Sequence, residues 1–166
     1  QGGDDALDND ADPNNGSKTT TFFLNISGND NTWDAGFKTT GAGDFVWLDV
    51  NQNGIQDVGE TGVPGIDVEI KIDGGASVAT TTTDANGYYS FTNISPQTYR
   101  LYFTNLAAGY VFSTQNVGGD DSIDSDVNTG TGESDALVLS TGVYNSNIDA
   151  GVYQQSEPEI SLRGNG

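Results

Sequence analysis

Ile66-Asp67-Val68-Glu69-Ile70-Lys71-Ile72 alternates apolar and polar side chains over seven consecutive positions. Successive residues of a β-strand point to opposite faces, so the even-numbered apolar residues share one side and the polar ones the other. This predicts a half-buried strand with Ile66, Val68, Ile70 and Ile72 inward. Working outward, Gly62-Val63-Pro64-Gly65 reads as a turn, since proline presets φ and glycine accepts positive φ. Residues 77–83 form a Thr-rich strand, and Asp84-Ala85-Asn86-Gly87 is a tight turn into Tyr88-Tyr89-Ser90-Phe91. A hairpin is expected there, with Asn86-Gly87 in the left-handed positions. Asp84 either caps that turn or touches a metal. Upstream, Gly43-Asp44-Phe45-Val46-Trp47-Leu48 is an apolar run of strand length. Downstream, residues 98–103, 109–112, 136–139 and 147–153 supply the remaining strands. Seven or eight short strands across residues 41–154 predict an all-β, immunoglobulin-like sandwich.

Composition agrees and narrows the chemistry. The 166 residues carry a net charge of −19, include 23 glycines, and contain no Cys, Met or His. Asp disfavours helices and favours turns, so an Asp-dominated acidic chain with many Thr, Val and Tyr points to strands joined by long loops. No disulfide can form, and without histidine the commonest general base and transition-metal ligand is missing. Hydrolase triads and zinc sites are thereby disfavoured, and only oxygen ligands remain. A surface this negative repels nucleic acid and anionic membranes. No apolar run reaches the length of a membrane-spanning helix. Paired carboxylates could serve a glycosidase, but they fall in Asp/Asn loops that metal ligation explains, so the chain is read as non-enzymatic.

Between the strands at 43–48 and 66–72 lies Asp49-Val50-Asn51-Gln52-Asn53-Gly54-Ile55-Gln56-Asp57-Val58-Gly59-Glu60. Oxygen-bearing side chains stand at positions one, three, five, nine and twelve (Asp49, Asn51, Asn53, Asp57, Glu60), with Gly54 at position six and the Ile55 carbonyl available at position seven. That is the ligand pattern of a twelve-residue calcium loop, in which alternate side chains converge on one hard cation. Such loops usually join two helices; here both flanks read as strands, so the loop is expected to act as a static clamp at one end of a sandwich.

A second acidic stretch, Gly118-Gly119-Asp120-Asp121-Ser122-Ile123-Asp124-Ser125-Asp126, repeats Gly2-Gly3-Asp4-Asp5-Ala6-Leu7-Asp8-Asn9-Asp10 at an offset of 116 residues. At an offset of 115, Trp33-Asp34-Ala35-Gly36-Phe37 recurs as Ile148-Asp149-Ala150-Gly151-Val152, and Phe22-Phe23-Leu24 as Leu137-Val138-Leu139. Three ordered matches mark an internal repeat. Residues 1–40 then correspond to the last third of a module, 41–154 to a whole one, and 155–166 to a linker and the start of a different domain or a terminal strand. The aspartates at 120, 121, 124 and 126 either sit on a loose solvated loop or surround a cation.

The ordered set, Gly43-Asp44-Phe45-Val46-Trp47, the 49–60 loop, Gly62-Val63-Pro64-Gly65, Thr83-Asp84-Ala85-Asn86-Gly87-Tyr88-Tyr89-Ser90-Phe91, the acidic segment and Ile148-Asp149-Ala150-Gly151, resembles the B-type repeat domain of serine-aspartate repeat surface proteins. The resemblance implies a calcium-binding, immunoglobulin-like module in the stalk of a bacterial surface protein, extracellular or secreted. It further implies calcium ligation by Asp120, Asp121, Asp124 and Asp126, with Asp149 a further ligand, and by Asp4, Asp5, Asp8, Asp10 and Asp34 in the partial repeat. Wider relatives carry Lys–Asn crosslinks, which need a buried lysine. Lys71 lies on the outward strand face and Lys18 and Lys38 lie outside the whole module, so none is expected within it. Expected partners are neighbouring modules or other copies of the chain, with the strands of residues 1–37 completed by an upstream module or by head-to-tail strand donation into a filament. The competing expectation is an adhesin or carbohydrate-binding module using Trp33, Tyr88, Tyr110 and Tyr144.

Overall fold

A computed structural model describes residues 39–156. Ten short strands form: β1 (Gly41–Ala42), β2 (Val46–Leu48), β3 (Asp67–Ile72), β4 (Ser77–Thr82), β5 (Phe91–Thr92), β6 (Gln97–Thr104), β7 (Tyr110–Phe112), β8 (Leu137–Leu139), β9 (Tyr144–Asn145) and β10 (Ala150–Gln154). There is no helix among the described residues. The strands make three small sheets, ordered β4-β3-β6-β8, β2-β10-β7 and β5-β1-β9. The partial repeat at residues 1–37 lies outside the described residues.

The alternating stretch behaves as its pattern dictates. Ile66, Val68 and Ile70 are buried, Ile72 is partly buried, and β3 pairs antiparallel with both β4 and β6. The same alternation runs through β6, where Tyr99, Leu101 and Phe103 are buried between half-exposed neighbours. These side chains join Val46, Phe112, Ala150 and Val152 of the β2-β10-β7 sheet and Ala42 and Phe91 of the β5-β1-β9 sheet in one apolar cluster. Tyr89 ties the layers together edge-on to Phe103, with ring centroids 5.4 Å apart. Burying a side chain of this size stabilises by roughly 1.5–3 kcal/mol, so this cluster holds a chain that has no disulfide.

Two local expectations are corrected. Ten strands form where seven or eight were expected, because the two-residue strands β1 and β9 lie outside the runs read as strands. Gly41 and Ala42 pair with β5 and β9, whereas Val46, Trp47 and Leu48 pair with β10. The turn at 84–87 forms as a cap, with Asp84 Oδ1 accepting the Asn86 and Tyr88 amides at 2.8 and 3.0 Å. It does not close a hairpin of neighbouring strands. β4 pairs with β3, while β5 pairs with β1. The chain changes sheets at the turn because Val46 N donates to the Gly87 carbonyl and Phe45 bridges Tyr88. Only Gly87 of the Asn86-Gly87 pair has positive φ, at 91°.

Lys71 lies on the outer face of β3, its Nζ 3.0 Å from Glu69 and 4.3 Å from the centroid of the Tyr102 ring. Gly62 marks the tightest backbone approach: a Cβ there would overlap the carbonyl of Asn86. Gly62→Ala is therefore expected to destabilise the module by about 3 kcal/mol, the upper end of overpacking costs, read as a lowered urea midpoint with an unchanged denaturant slope.

Candidate metal centre

β2 and β10 run parallel and side by side, and each is bordered by a fully buried aspartate. Asp49 follows β2 and Asp149 precedes β10, so the two carboxylates mark opposite ends of the paired segment. The pairing continues past the strands through Asp49 N to Val152 O at 2.8 Å and Ala150 N to Phe45 O at 3.1 Å.

The 49–60 loop curls around its first residue. Asp49 Oδ1 accepts the Asn53 amide at 3.1 Å, while Oδ2 accepts the Gly54 amide at 2.9 Å and the Ser113 hydroxyl at 2.6 Å. Three donors to one carboxylate compensate its removal from water. Asn51 Oδ1 accepts from Asn53 N at 3.0 Å and Asn53 Oδ1 from Ile55 N at 2.8 Å, while both amide groups donate to Asp57 Oδ2, at 2.7 and 2.9 Å. Glu60 closes the ring by accepting from Val50 N at 2.8 Å and Asp57 N at 3.0 Å. The structure thus brings Asp49, Asn51, Asn53, Asp57 and Glu60 together around one loop. Gly54 is required at its centre: φ is 77°, and a Cβ would meet the Thr114 carbonyl at 2.8 Å.

Residues 123–126 run as a strap from this loop to the other end of β10. Gln56 N donates to Ile123 O at 2.7 Å and Ser125 N to Gly54 O at 3.0 Å, which pairs Ile55 with Asp124. Further along, Ser125 Oγ accepts from Gly151 N at 3.2 Å, and Asp126 N donates to Asp149 O at 2.9 Å. Asp126 Oδ2 in turn accepts from Asp149 N at 2.6 Å.

Ligand oxygens of Asp121, Asp124 and Asp126 lie within 4.8 Å of one another. Asp124 and Asp126 are each 5% exposed and Asp149 is 0% exposed. Asp124 Oδ1 and Asp149 Oδ2 are buried without a hydrogen-bond partner. Burial first, and the neighbouring aspartates second, raise the Asp124 carboxyl above its ordinary value. Burial pushes Asp126 up to about 7. Asp44 and Asp149 are both raised, chiefly by burial, Asp44 to about 6 and Asp149 to about 9. Such a set is electrostatically incomplete: carboxylates of one sign, crowded and partly dehydrated, with no cationic side chain among the groups that act on them.

Asp120 does not join the group. It is exposed and bonds its own turn through Ser122 N and Oγ at 3.2 and 2.6 Å, which holds it below its usual range. Asp149 lies beside Asp126 and Asp44, outside the closest triad. Asp4, Asp5, Asp8, Asp10 and Asp34 lie outside the described residues. Of the exposed-aromatic candidates, Tyr88 is 56% exposed with its ring tilted against that of Phe45 at a centroid distance of 4.8 Å, Tyr144 is 41% exposed, Tyr110 lines an apolar groove, and Trp33 lies outside the described residues. Sequence reasoning missed Asp44 and Ser113. Asp44 carried a signal, being the one charged residue in an otherwise apolar run, whereas Ser113 had none.

A family model described as the SdrD B-like domain matches residues 40–152. The chain is 41% identical over 125 residues to serine-aspartate repeat-containing protein C of Staphylococcus aureus strain Newman, covering 74% of this chain and 13% of that protein. The corresponding protein of strain N315 is 39% identical over 134 residues, covering 79% and 14%. The chain thus spans a small part of these relatives. Among solved structures, the minor pilin GBS52 of Streptococcus agalactiae aligns with a TM-score of 0.49 at 12% identity, covering 76% of this chain and 49% of that one. Shaft pilin SpaA of Lactobacillus rhamnosus GG aligns with a TM-score of 0.44 at 16% identity, covering 71% and 50%. On the matched family model and the identity to its relatives, this chain belongs to the SdrD B-like domain family, a non-enzymatic family of extracellular, cell-surface proteins.

Proposed function

We propose that the module is a structural unit of an extracellular stalk, an immunoglobulin-like sandwich stiffened by calcium at two places. The first is the 49–60 loop, through Asp49, Asn51, Asn53, Ile55, Asp57 and Glu60. The second is the group formed by Asp121, Asp124 and Asp126, with Asp149 and Asp44 beside it. The observation that carries this reading is the pair of buried, unpartnered carboxylate oxygens on Asp124 and Asp149 next to the converging triad. A chain without His, Cys or Met offers only oxygen ligands, which select a hard cation. Bound there, the ion would supply the positive charge that the surrounding side chains lack. The strap then makes the two places one mechanical unit, since residues 123–126 hydrogen-bond the loop at one end and Asp149 at the other.

Neighbouring modules are the partners this reading assigns. Residues 33–37 match residues 148–152, whose last three open β10, a strand hydrogen-bonded along both edges, by β2 and β7. Strands for both edges of that copy come from an upstream module or from another copy of the chain. Deletion of residues 1–37 abolishes any filaments if another copy supplies the strands; filaments that persist in electron micrographs of the truncated chain count against donation.

Calcium at about 100 times its dissociation constant stabilises a folded state by about 2.7 kcal/mol per site. Chelator is expected to lower the melting temperature by roughly 5 °C or more, and an unchanged melting curve would remove the central claim. Glu60→Ala should weaken calcium binding at the loop by at least about tenfold, measured by calorimetric titration.

The same carboxylates set a pH dependence in chelator. Asp126 binds its proton more tightly in the folded chain, at about 7 against an ordinary 3.8, and Asp44, Asp124 and Asp149 are shifted in the same direction. Their contribution to stability is fully present below the ordinary carboxylate value and is lost as pH rises through the folded values. Metal-free protein should therefore melt lower at pH 8 than at pH 5, and saturating calcium should flatten or reverse the trend.

A further inference from the structure

Asn-Gly dipeptides occur at Asn15-Gly16, Asn53-Gly54, Asn86-Gly87 and Asn165-Gly166; the middle two lie within the described residues. Asparagine before glycine is chemically labile because no Cβ on the following residue hinders its amide nitrogen. The deprotonated glycine nitrogen attacks Cγ of the asparagine, the Cγ–Nδ2 bond breaks, and ammonia leaves with a succinimide in its place. Water then opens that ring to aspartate or isoaspartate, with no oxidant or co-reactant needed.

We propose that Asn86 is a deamidation site of the folded module, and that Asn53 is a latent one which the closed 49–60 loop shields. The two sites differ on both reacting partners. Asn53's side chain is held at both ends: Oδ1 accepts from Ile55 N at 2.8 Å and Nδ2 donates to Asp57 Oδ2 at 2.9 Å. Cγ therefore cannot swing toward Gly54 N without breaking both bonds. The attacking nitrogen is also disarmed, because Gly54 N donates at 2.9 Å to Oδ2 of the fully buried Asp49. A carboxylate at that distance opposes formation of the amide anion that does the attacking.

Asn86 lacks the first restraint and has only a neutral acceptor in place of the second. It is exposed, its carboxamide hydrogen-bonds no described residue, and Gly87 N donates to the neutral Asp84 carbonyl at 3.0 Å.

The consequences differ as well. Isoaspartate at position 53 would lengthen the main chain beside Gly54, whose amide is anchored to Asp49 and whose carbonyl accepts Ser125 N at 3.0 Å. The product could not keep both bonds unstrained, so the loop's join to the strap would be weakened irreversibly and left to the Gln56 N to Ile123 O bond at 2.7 Å. Loop closure is thus also chemical protection for a module that works outside the cell, beyond replacement.

The test is to incubate the whole 166-residue chain at mildly alkaline pH, folded and in denaturing urea, and to follow acid formation at each asparagine by peptide-mapping mass spectrometry. Asn86 serves as the internal clock. In the folded chain Asn86 should convert while Asn53 lags by at least about tenfold, the factor that even a shallow local-opening equilibrium provides; in urea the two should convert at comparable rates. Equal rates in the folded chain would overturn the proposal. So would an Asn53 that stays slow in urea, since its neighbouring sequence and not the loop would then be the protection.

Discussion

Three aspartates withdrawn from water along the β2–β10 seam set the terms for the rest of the module. Asp49, Asp126 and Asp149 are at most 5% exposed, and a buried carboxylate is tolerated only where donors, a proton or a cation compensate it. Asp49 is compensated by two backbone amides and a hydroxyl, which convert the 49–60 segment into a closed ring. Asp149 is not: one oxygen has a long bond to Phe45 N at 3.3 Å and the other has no partner. The contrast gives the two ends of the seam different characters, one closed by its own hydrogen bonds and one left short of positive charge.

The strap of residues 123–126 makes these ends interdependent. It is too irregular to count as a strand, yet its backbone pairs with the loop, with Asn116 and with Asp149 in turn. A cation gathered by Asp121, Asp124 and Asp126 would order the strap, and the strap carries that order to Gly54 at the centre of the loop. Because strands and not helices flank the loop, there is no helix pair whose angle a bound ion could change. Stiffening is what remains, consistent with the proposed place in a stalk, where local unfolding of loops would make the rod compliant.

Much of this was legible in the chain, and the limits are instructive. The period-two pattern at 66–72 specified the inward face of β3 because side-chain alternation is a local property of extended backbone. The calcium-loop spacing placed Asp49, Asn51, Asn53, Asp57 and Glu60 on one ring because all of them lie within twelve residues of each other. The family resemblance pointed to Asp126 and Asp149, but gave Asp120 equal weight with Asp121, although Asp120 turns outward to cap its own Ser122. Spacing within an acidic segment cannot tell a ligand from a cap, since both are short polar side chains facing nearby groups.

What the sequence by itself determined is the class of structure and the chemistry open to it: an all-β module, oxygen ligands only, a local loop suited to a hard cation, and membership signalled by an ordered set of motifs. Only the tertiary structure decided which strands meet and which aspartates are buried. The turn at 84–87 leads away from β4 to another sheet because Gly87 and Tyr88 find partners in Val46 and Phe45, some forty residues upstream. Asp44 enters the group around Asp149 because parallel pairing of β2 with β10 brings together residues a hundred positions apart. Desolvation depends on everything packed around a group, so the carboxylates that most need compensation could be identified only once the whole chain was folded.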